Sequence, residues 1–380
     1  MSNAHIKKMF PGAVTSQGFF SYYNYMIQQK NAEHIFVIKG GPGVGKSTFM
    51  KKIAQSMLDR GYDIEFHCCS SDNGSIDGVV IPKLNIALLD GTAPHIVDPK
   101  NPGAVDEIIN LGEYWDEAML KRSRKQIIDC NAKVSGYFQR AYFGLKEANI
   151  ALQEWRFNVS AYQDWSKINQ MTLKIEREIF GISPKDLANE RHLFAWAHTP
   201  QGKTQFIDSL LNDTDKLYVL EGQPGSGKST FLSRIAERAL TLNFNVEYYH
   251  NTLDPDRLDL IILPDLRIAF VINCEPYAYT PNFNGKIITL NFEESLNTSQ
   301  LAKDYGDDIQ DCKIRVNQHI SRALGHSKKA KQTHDLMEQY YIPAMNFLEI
   351  ESELNSVLKR ILGYVEEQAV AVVTNSSSKV

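Results

Sequence analysis

The chain has 380 residues, of which 43% are hydrophobic and 23% charged, with 41 basic and 45 acidic side chains. This length is too great for one ordinary core and fits two domains of roughly 150–200 residues each. The composition excludes a mostly disordered, collagen-like or disulfide-stapled chain, and the net charge of −4 does not indicate a nucleic-acid-binding protein.

No targeting segment is predicted from the sequence. The first twenty residues contain no continuous apolar run of the kind found in signal peptides. The longest apolar stretch, residues 258–272, is interrupted by Pro264, Asp265 and Arg267, so it falls short of the ~20 residues of a membrane span. The five cysteines include no C-x-x-C pair, which is typical of reduced thiols. We therefore expect a cytoplasmic protein without a membrane partner.

A repeat divides the chain into two similar halves. Residues 40–47 have the sequence GGPGVGKS and residues 222–229 have GQPGSGKS, and Lys46 and Lys228 are 182 positions apart. At this offset the two halves align without a gap for about 55 residues, with roughly a third of the pairs identical. The sequence therefore predicts two homologous domains, residues 1–190 and 191–380.

Alternating apolar runs and helical patterns predict the same α/β fold in both halves. Continuous apolar runs at residues 35–38 and 217–220 are typical of strands buried on both faces. Each is followed by the glycine-rich segment and then by a helix with apolar residues four positions apart. Further strands are predicted at residues 63–68, 79–81, 86–89 and 107–111, and at 245–249, 261–263, 268–272 and 286–290. We expect a mainly parallel, three-layer α/β/α sheet in each domain.

Each predicted domain also contains a long helical segment. These segments are an insert over about residues 113–180 and a helical hairpin over about residues 297–366, with its tip near Gly325. Apolar residues from Val134 to Tyr162 alternate steps of three and four, which is a heptad pattern. The simplest expectation is that these helices pack on each other or on the sheets; a moving lid or a partner-binding arm is the alternative.

The pattern G-x-x-x-x-G-K-[ST] is that of a phosphate-binding loop. Its glycines allow backbone N–H groups to converge on phosphate oxygens, and the following helix directs its positive end at the same anion. The lysine reaches the β- and γ-phosphates, and the next hydroxyl is a ligand of Mg²⁺. The predicted nucleotide-binding residues are Gly40, Gly41, Gly43, Val44, Gly45, Lys46, Ser47 and Thr48, and Gly222, Gln223, Gly225, Ser226, Gly227, Lys228, Ser229 and Thr230.

An acid at the end of a buried strand is the second requirement for holding Mg²⁺. Asp90 ends the apolar run 86–89 and is the predicted acid, with a plain turn aspartate as the alternative. Ser47, Asp90 and Ser229 are thus the predicted metal ligands. Ile272 replaces the aspartate in the second half, and Glu275 follows three residues later.

Several other polar residues are weaker candidates for a catalytic or binding role. Asp72 could accept a proton from a phosphate acceptor, with a loop or helix-cap aspartate as the alternative; Asp254, Asp77 and Asp259 are similar candidates. His95 could contact a γ-phosphate. A zinc site at residues 67–69 is disfavoured because adjacent residues on a strand point to opposite faces. The basic clusters at residues 121–125 and 322–331 are typical of solvated helix faces, or of a lid that brings an arginine to the phosphate.

The two loops, together with residues 71–82, 90–95 and 102–112, resemble a family of bacterial tandem P-loop ATPases of uncharacterised role. The resemblance implies ATP binding and hydrolysis and supplies no substrate. The second half departs from the first at residues 273–277, which disfavours turnover there.

From the motifs and this resemblance we expect an ATP-binding, Mg²⁺-dependent P-loop NTPase. Lys46, Asp90 and Asp72 are its expected catalytic residues, and the first site should be more competent than the second. The alternatives are a small-molecule or nucleotide kinase, and a nucleotide-gated switch that binds a protein or small-molecule partner without fast turnover. The sequence does not specify the partner, the oligomeric state or the choice between ATP and GTP.

Overall fold

The computed structural model describes residues 4–93, 96–181 and 187–377, with side chains as far as residue 367. The chain is a mixed α/β protein with two six-stranded, mostly parallel sheets, as expected. No helix among these residues has the length and apolar character that a membrane span requires.

The first half begins with short strands and ends in helices. Its elements are β1 (Ile6–Met9), β2 (Gly12–Thr15), β3 (Gly18–Ser21), β4 (His34–Lys39), α1 (Lys46–Leu58), β5 (Ile64–Cys68), β6 (Ile76–Ile81), β7 (Ile86–Asp90), β8 (Asp106–Asn110), α2 (Glu117–Arg122), α3 (Arg124–Ser160) and α4 (Trp165–Ile179).

The second half repeats most of this order. Its elements are β9 (Glu190–Leu193), β10 (Trp196–Thr199), β11 (Gly202–Gln205), α5 (Ile207–Leu210), β12 (Lys216–Glu221), α6 (Lys228–Thr241), β13 (Val246–His250), β14 (Leu258–Leu263), β15 (Ile268–Asn273), β16 (Lys286–Asn291), α7 (Thr298–Tyr341) and α8 (Phe347–Ser377). The strands predicted from apolar runs are present in both halves.

The two sheets have matching strand orders, β1-β5-β6-β7-β4-β8 and β9-β13-β14-β15-β12-β16. In the first, β4 is parallel to both of its neighbours, β7 and β8. In the second, β12 is likewise parallel to β15 and β16. The carboxyl ends of these parallel strands therefore meet at one edge of each sheet, which is where each glycine-rich loop begins.

Of the expected α/β/α layers, the described residues show long helices on one face of each sheet. Helices α1 and α8 pack on one face of the first sheet, and α4 and α6 on one face of the second. The other face of the second sheet packs against the short helix α5 and nearby residues. Strands β6 and β14 are antiparallel to their neighbours, and tight antiparallel connections supply none of the crossover helices that parallel strands require.

The compact units of the molecule do not coincide with the predicted halves. Unit 1 consists of Met1–Lys8, Met26–Ser135 and Ala330–Val380, and unit 2 of Met9–Tyr25 and Gly136–Lys329. The chain therefore passes between these units near residues 8, 25, 135 and 329, and not near the boundary of the repeats at residue 190. The physical reason is apolar burial: α8 packs in the core of unit 1, whereas α4 packs in the core of unit 2.

The predicted tip of the helical hairpin near Gly325 is wrong. Helix α7 continues through Gly325, with a kink at Tyr305, and the chain turns at Ile342–Ala344. A glycine within a helix costs only about 1 kcal/mol, whereas Pro343 lacks an N–H group and cannot continue a helix in its interior. The predicted packing of the helices on each other is confirmed within unit 2, where Leu145 and Leu152 of α3 share a buried cluster with Val316 of α7.

Candidate functional site

The first glycine-rich loop connects the end of β4 to the start of α1. Gly43 and Gly45 have φ values of 69° and 92°, which glycine adopts without the steric cost that other residues incur. Gly45 is the N-cap of α1 and gives the helix no side-chain cap. The Lys46 ammonium donates hydrogen bonds to the carbonyls of Gly40 and Gly41, at 3.0 and 2.9 Å. The loop thus curls around the first turn of the helix, and Lys46 lies across it.

The second loop repeats this geometry between β12 and α6. Gly225 and Gly227 have φ values of 91° and 92°. Lys228 donates to the carbonyls of Gly222 and Gln223 and to the hydroxyl of Ser226, the last two at 2.8 and 3.0 Å. Lys228 is only 4% exposed, and burial lowers its pKa, although Cys274 and Glu293 oppose this shift.

Asp90 lies where the sequence places it, at the same sheet edge as the first loop. It pairs with Ile38 of β4, and its Oδ2 is 3.7 Å from the Lys46 Nζ. Its Oδ1 accepts hydrogen bonds from the Thr92 N–H and hydroxyl, at 2.9 and 2.5 Å. Burial raises the pKa of Asp90, whereas Lys46 and the Thr92 hydrogen bonds lower it. The hydroxyl of Ser47 accepts a hydrogen bond from the Ile76 N–H at 3.1 Å.

Ile272 occupies the position of Asp90 in the second site, since it pairs with Leu220 of β12. The antiparallel register of β14 and β15 brings Asp259 beside it. Asp259 accepts hydrogen bonds from the Asn251 amide at 3.0 and 2.9 Å and from the Trp196 indole at 2.8 Å. Burial raises the pKa of Asp259, although these hydrogen bonds oppose the shift.

The contacts of Asp72 are those of a turn. Its carboxylate accepts hydrogen bonds from the Gly74 N–H at 3.0 Å and the Ser75 hydroxyl at 2.9 Å, and lies 3.3 Å from the Lys331 Nζ. Burial would raise the pKa of Asp72, but the Gly74 and Ser75 hydrogen bonds and Lys331 lower it overall. These contacts match the structural alternative for Asp72.

The remaining sequence candidates are dispersed. Glu275 forms an ion pair with Lys313 at 2.7 Å, and Arg322 forms one with Glu147. Within the described part of the chain, residues 67–69 belong to no group of three His, Cys, Asp or Glu side chains close enough together to hold a metal ion. His95 lies outside the described residues.

Helices α3 and α7 contact the loops in a way that the sequence analysis missed. In unit 2, a Cβ atom at Gly225 would lie 2.5 Å from the carbonyl oxygen of Arg156 in α3. In unit 1, a Cβ atom at Gly43 would lie 3.2 Å from the Cβ of Glu338 in α7. Position 338 follows position 156 by 182 residues, so the repeat extends into these helices. Each loop is therefore covered by the helix of the other half of the chain.

The same offset relates the residues that follow these helices. Trp165 and Ile168 lie near Gly227 in unit 2, and Phe347 lies near Gly45 in unit 1. Trp165 and Phe347 are again 182 positions apart. Comparing positions 182 residues apart beyond residue 276 would have revealed this match.

A cavity of about 410 Å³ adjoins the second loop in unit 2. Its cationic lining consists of Arg156, Lys203, Lys228 and Arg257. Trp196 and Tyr277 also line it, and their ring centroids are 4.0 Å apart. The Lys203 Nζ lies 5.5 and 5.3 Å from these two centroids, within the range of cation–π attraction.

Comparisons with known protein families, curated proteins and solved structures found no match to this chain. Function is therefore inferred from the two loops and the side chains around them. Each half thus has a glycine-rich loop crossed by a lysine, and the first loop has a neighbouring acid whereas the second adjoins a cation-lined cavity.

Proposed function

We propose that the chain is a P-loop NTPase that binds ATP at both loops and hydrolyses it, with Mg²⁺, mainly at the first. The observation that supports this most strongly is the repeated strand–loop–helix unit, in which a left-handed glycine precedes a lysine whose ammonium lies across the loop. The acid 3.7 Å from Lys46 favours the first loop for hydrolysis.

The phosphates would be bound by each loop's backbone N–H groups and by the positive end of α1 or α6. Lys46 and Lys228 would leave the loop carbonyls and donate to phosphate oxygens instead. This exchange is favourable because hydrogen bonds between charged groups are stronger than those to neutral carbonyls.

The residues of the first site fit Mg²⁺, which prefers hard oxygen ligands. Ser47 and Asp90 would hold the ion, directly or through water, beside Lys46. When bound, the ion would supply charge neutralisation for the transferring phosphoryl group. Asp90 would be ionised in that complex, because the added positive charge favours the carboxylate over the protonated form.

The test is to measure ATP-binding stoichiometry and steady-state phosphate release for the unmodified protein and three variants. Lys46→Ala should abolish most hydrolysis, whereas Lys228→Ala should mainly weaken binding at the second loop. Lys52→Ala is the matched control, because Lys52 is on α1 but pairs with Glu351, and it should change neither quantity.

The proposal would be overturned if neither loop bound ATP. If Lys228→Ala lost more turnover than Lys46→Ala, the assignment of the two sites would be reversed. Turnover that occurs only with an added phosphate acceptor would identify a kinase instead. Thermal unfolding of each variant verifies that the protein is folded.

A further inference from the structure

The two loops differ in charge at two positions that the repeat makes equivalent. At the first position, Asp90 near the first loop corresponds to Ile272 near the second. At the other, Glu338 against the first loop corresponds to Arg156 against the second. Both differences make the surroundings of the second loop more positive than those of the first.

Arg156 is held close to the second loop by α3. Its side chain is 15% exposed, lines the cavity and forms an ion pair with Asp254 at 2.9 Å. Arg257 also pairs with Asp254, at 3.0 Å, and lines the same cavity. Since one carboxylate serves two guanidinium groups, these three side chains together keep a net positive charge.

The other charges around the cavity do not cancel this excess. Lys228 and Lys203 add two ammonium groups. Glu275 is paired with Lys313 at 2.7 Å. Asp259 offsets one of these charges, so the four cationic side chains still outnumber the carboxylates of Asp254 and Asp259. The cavity is therefore suited to a ligand with several negative charges.

We propose that the second loop binds the triphosphate of a nucleotide without a divalent cation, with Arg156 supplying the positive charge that Mg²⁺ supplies at the first loop. The proposal rests on the proposed function and specifies how its second site works. A guanidinium group suits this role because it stays charged at any physiological pH and can donate two parallel hydrogen bonds to a phosphate. A triphosphate held in this way would be bound without fast turnover.

Asp259, which lies beside Ile272, also does not take the place of the acid that the second loop lacks. Both oxygens of Asp259 already accept hydrogen bonds from the Asn251 amide, and one of them also accepts from the Trp196 indole, so a metal ion would have to displace these donors. At the equivalent edge of the first sheet, an oxygen of Asp90 lies 3.7 Å from the Lys46 Nζ, beside the first loop.

The experiment isolates the second loop with the Lys46→Ala variant and titrates it with ATP by calorimetry, once with Mg²⁺ and once with EDTA. We expect one ATP to bind with similar affinity under both conditions. Adding Arg156→Gln should weaken binding in EDTA by at least about tenfold, the usual effect of losing a hydrogen bond between charged groups. Arg257 still pairs with Asp254 in this variant, which keeps that carboxylate partnered.

Two further variants complete the design. Arg238→Gln, on the exposed part of α6, is the control and should leave the affinity unchanged. Ile272→Asp places an acid in the position of Asp90, and it should weaken binding in EDTA and restore it with Mg²⁺.

The outcomes separate this inference from the proposed function. If ATP binds to the Lys46→Ala protein with Mg²⁺ but not with EDTA, and Lys228→Ala removes that binding, the second loop is a nucleotide site and the inference is wrong. The inference is also wrong if Arg156→Gln binds as tightly as its parent in EDTA. If Lys46→Ala and Lys228→Ala together leave ATP binding unchanged, the proposed function itself fails.

Discussion

The two glycine-rich loops have nearly the same backbone and different surroundings. Gly45 and Gly227 precede their lysines with the same φ of 92°, and both lysines lie across their loops. Around the first loop are Asp90 and Glu338, whereas the second adjoins a cavity with four cationic side chains. The backbone of the loop is thus the same in both halves of the chain, whereas the charged side chains around it differ.

The largest expected effect concerns the exchange of helices between the halves. A fragment of residues 1–190 lacks α8, whose Ile350, Leu354, Val357 and Ile361 are buried in unit 1. Burial of four such side chains contributes about 6–12 kcal/mol, similar to the whole stability of a typical domain.

We therefore expect the isolated fragment 1–190 to show no cooperative thermal transition by circular dichroism. An equimolar mixture with fragment 191–380 should regain one, because the second fragment contains α8. A cooperative transition in the first fragment alone would show that unit 1 does not need α8 in order to fold.

The next prediction compares equivalent glycines of the two loops. Gly225→Ala should destabilise the protein more than Gly43→Ala, because the new Cβ would lie 2.5 Å from a backbone oxygen at position 225 but 3.0 Å from a movable isoleucine side chain at position 43. Both have left-handed φ values, which cost an alanine about 1–2 kcal/mol, and the clash should add about 1–3 kcal/mol at Gly225.

Gly202→Ala is the control for this pair, because Gly202 has a φ of 112° and no atom within 4 Å of a new Cβ. It isolates the cost of the backbone conformation. Denaturant unfolding of all three variants gives the order, and equal losses at positions 43 and 225 would show that the contact with α3 is loose.

The third prediction concerns Asp90, the acid of the first site that Ile272 replaces in the second. Asp90→Asn should lower Mg²⁺-dependent ATP turnover by about 10–100-fold, the usual effect of losing a group that supports a metal ion. It should not lower thermal stability, because burial raises the pKa of Asp90 and the fold thus tolerates a neutral side chain well. Asp98→Asn, at an exposed acid that pairs with Lys39, is the control. Unchanged turnover in Asp90→Asn would remove Asp90 from the metal site.

The last prediction is a pH dependence of the stability of unit 2. Burial lowers the pKa of His198 to about 3 and that of His250 to about 4, from 6.5. Between pH 6.5 and 4 the unfolded chain binds protons that the folded unit does not, so stability should fall as the pH falls, by up to about 1.4 kcal/mol per pH unit for each histidine. Hydrogen exchange followed by mass spectrometry would report this for unit 2, and His198→Gln should flatten the slope. If the slope of stability against pH were unchanged in His198→Gln, His198 would not be a source of the pH dependence.

Local features of the fold were predictable because short-range chemistry determines them. Residues 35–38 form a strand because their apolar run is buried on both faces, and Asp90 could be placed because it directly follows such a strand. Gly61 and Asn243, which follow the ends of α1 and α6, adopt left-handed φ values of 83° and 61°, as these two residue types do most readily.

The exchange of helices could not be predicted from periodicity. In a duplicated chain, α4 and α8 have similar apolar faces, and each could cover either sheet. The apolar pattern therefore does not specify which sheet each helix covers. The role inferred for Arg156 was missed for the same reason, since it depends on which helix lies beside the second loop.

The crossed covering of the loops has a consequence for how the two repeats evolve. A mutation at position 156 arises in the first repeat but is selected through its effect on the second loop, and the converse holds for position 338. Neither repeat can specialise by itself, because each loop lies in one repeat and the helix that covers it lies in the other. Among relatives of this chain, residue 156 should vary together with residue 272 of the opposite repeat, and residue 338 together with residue 90.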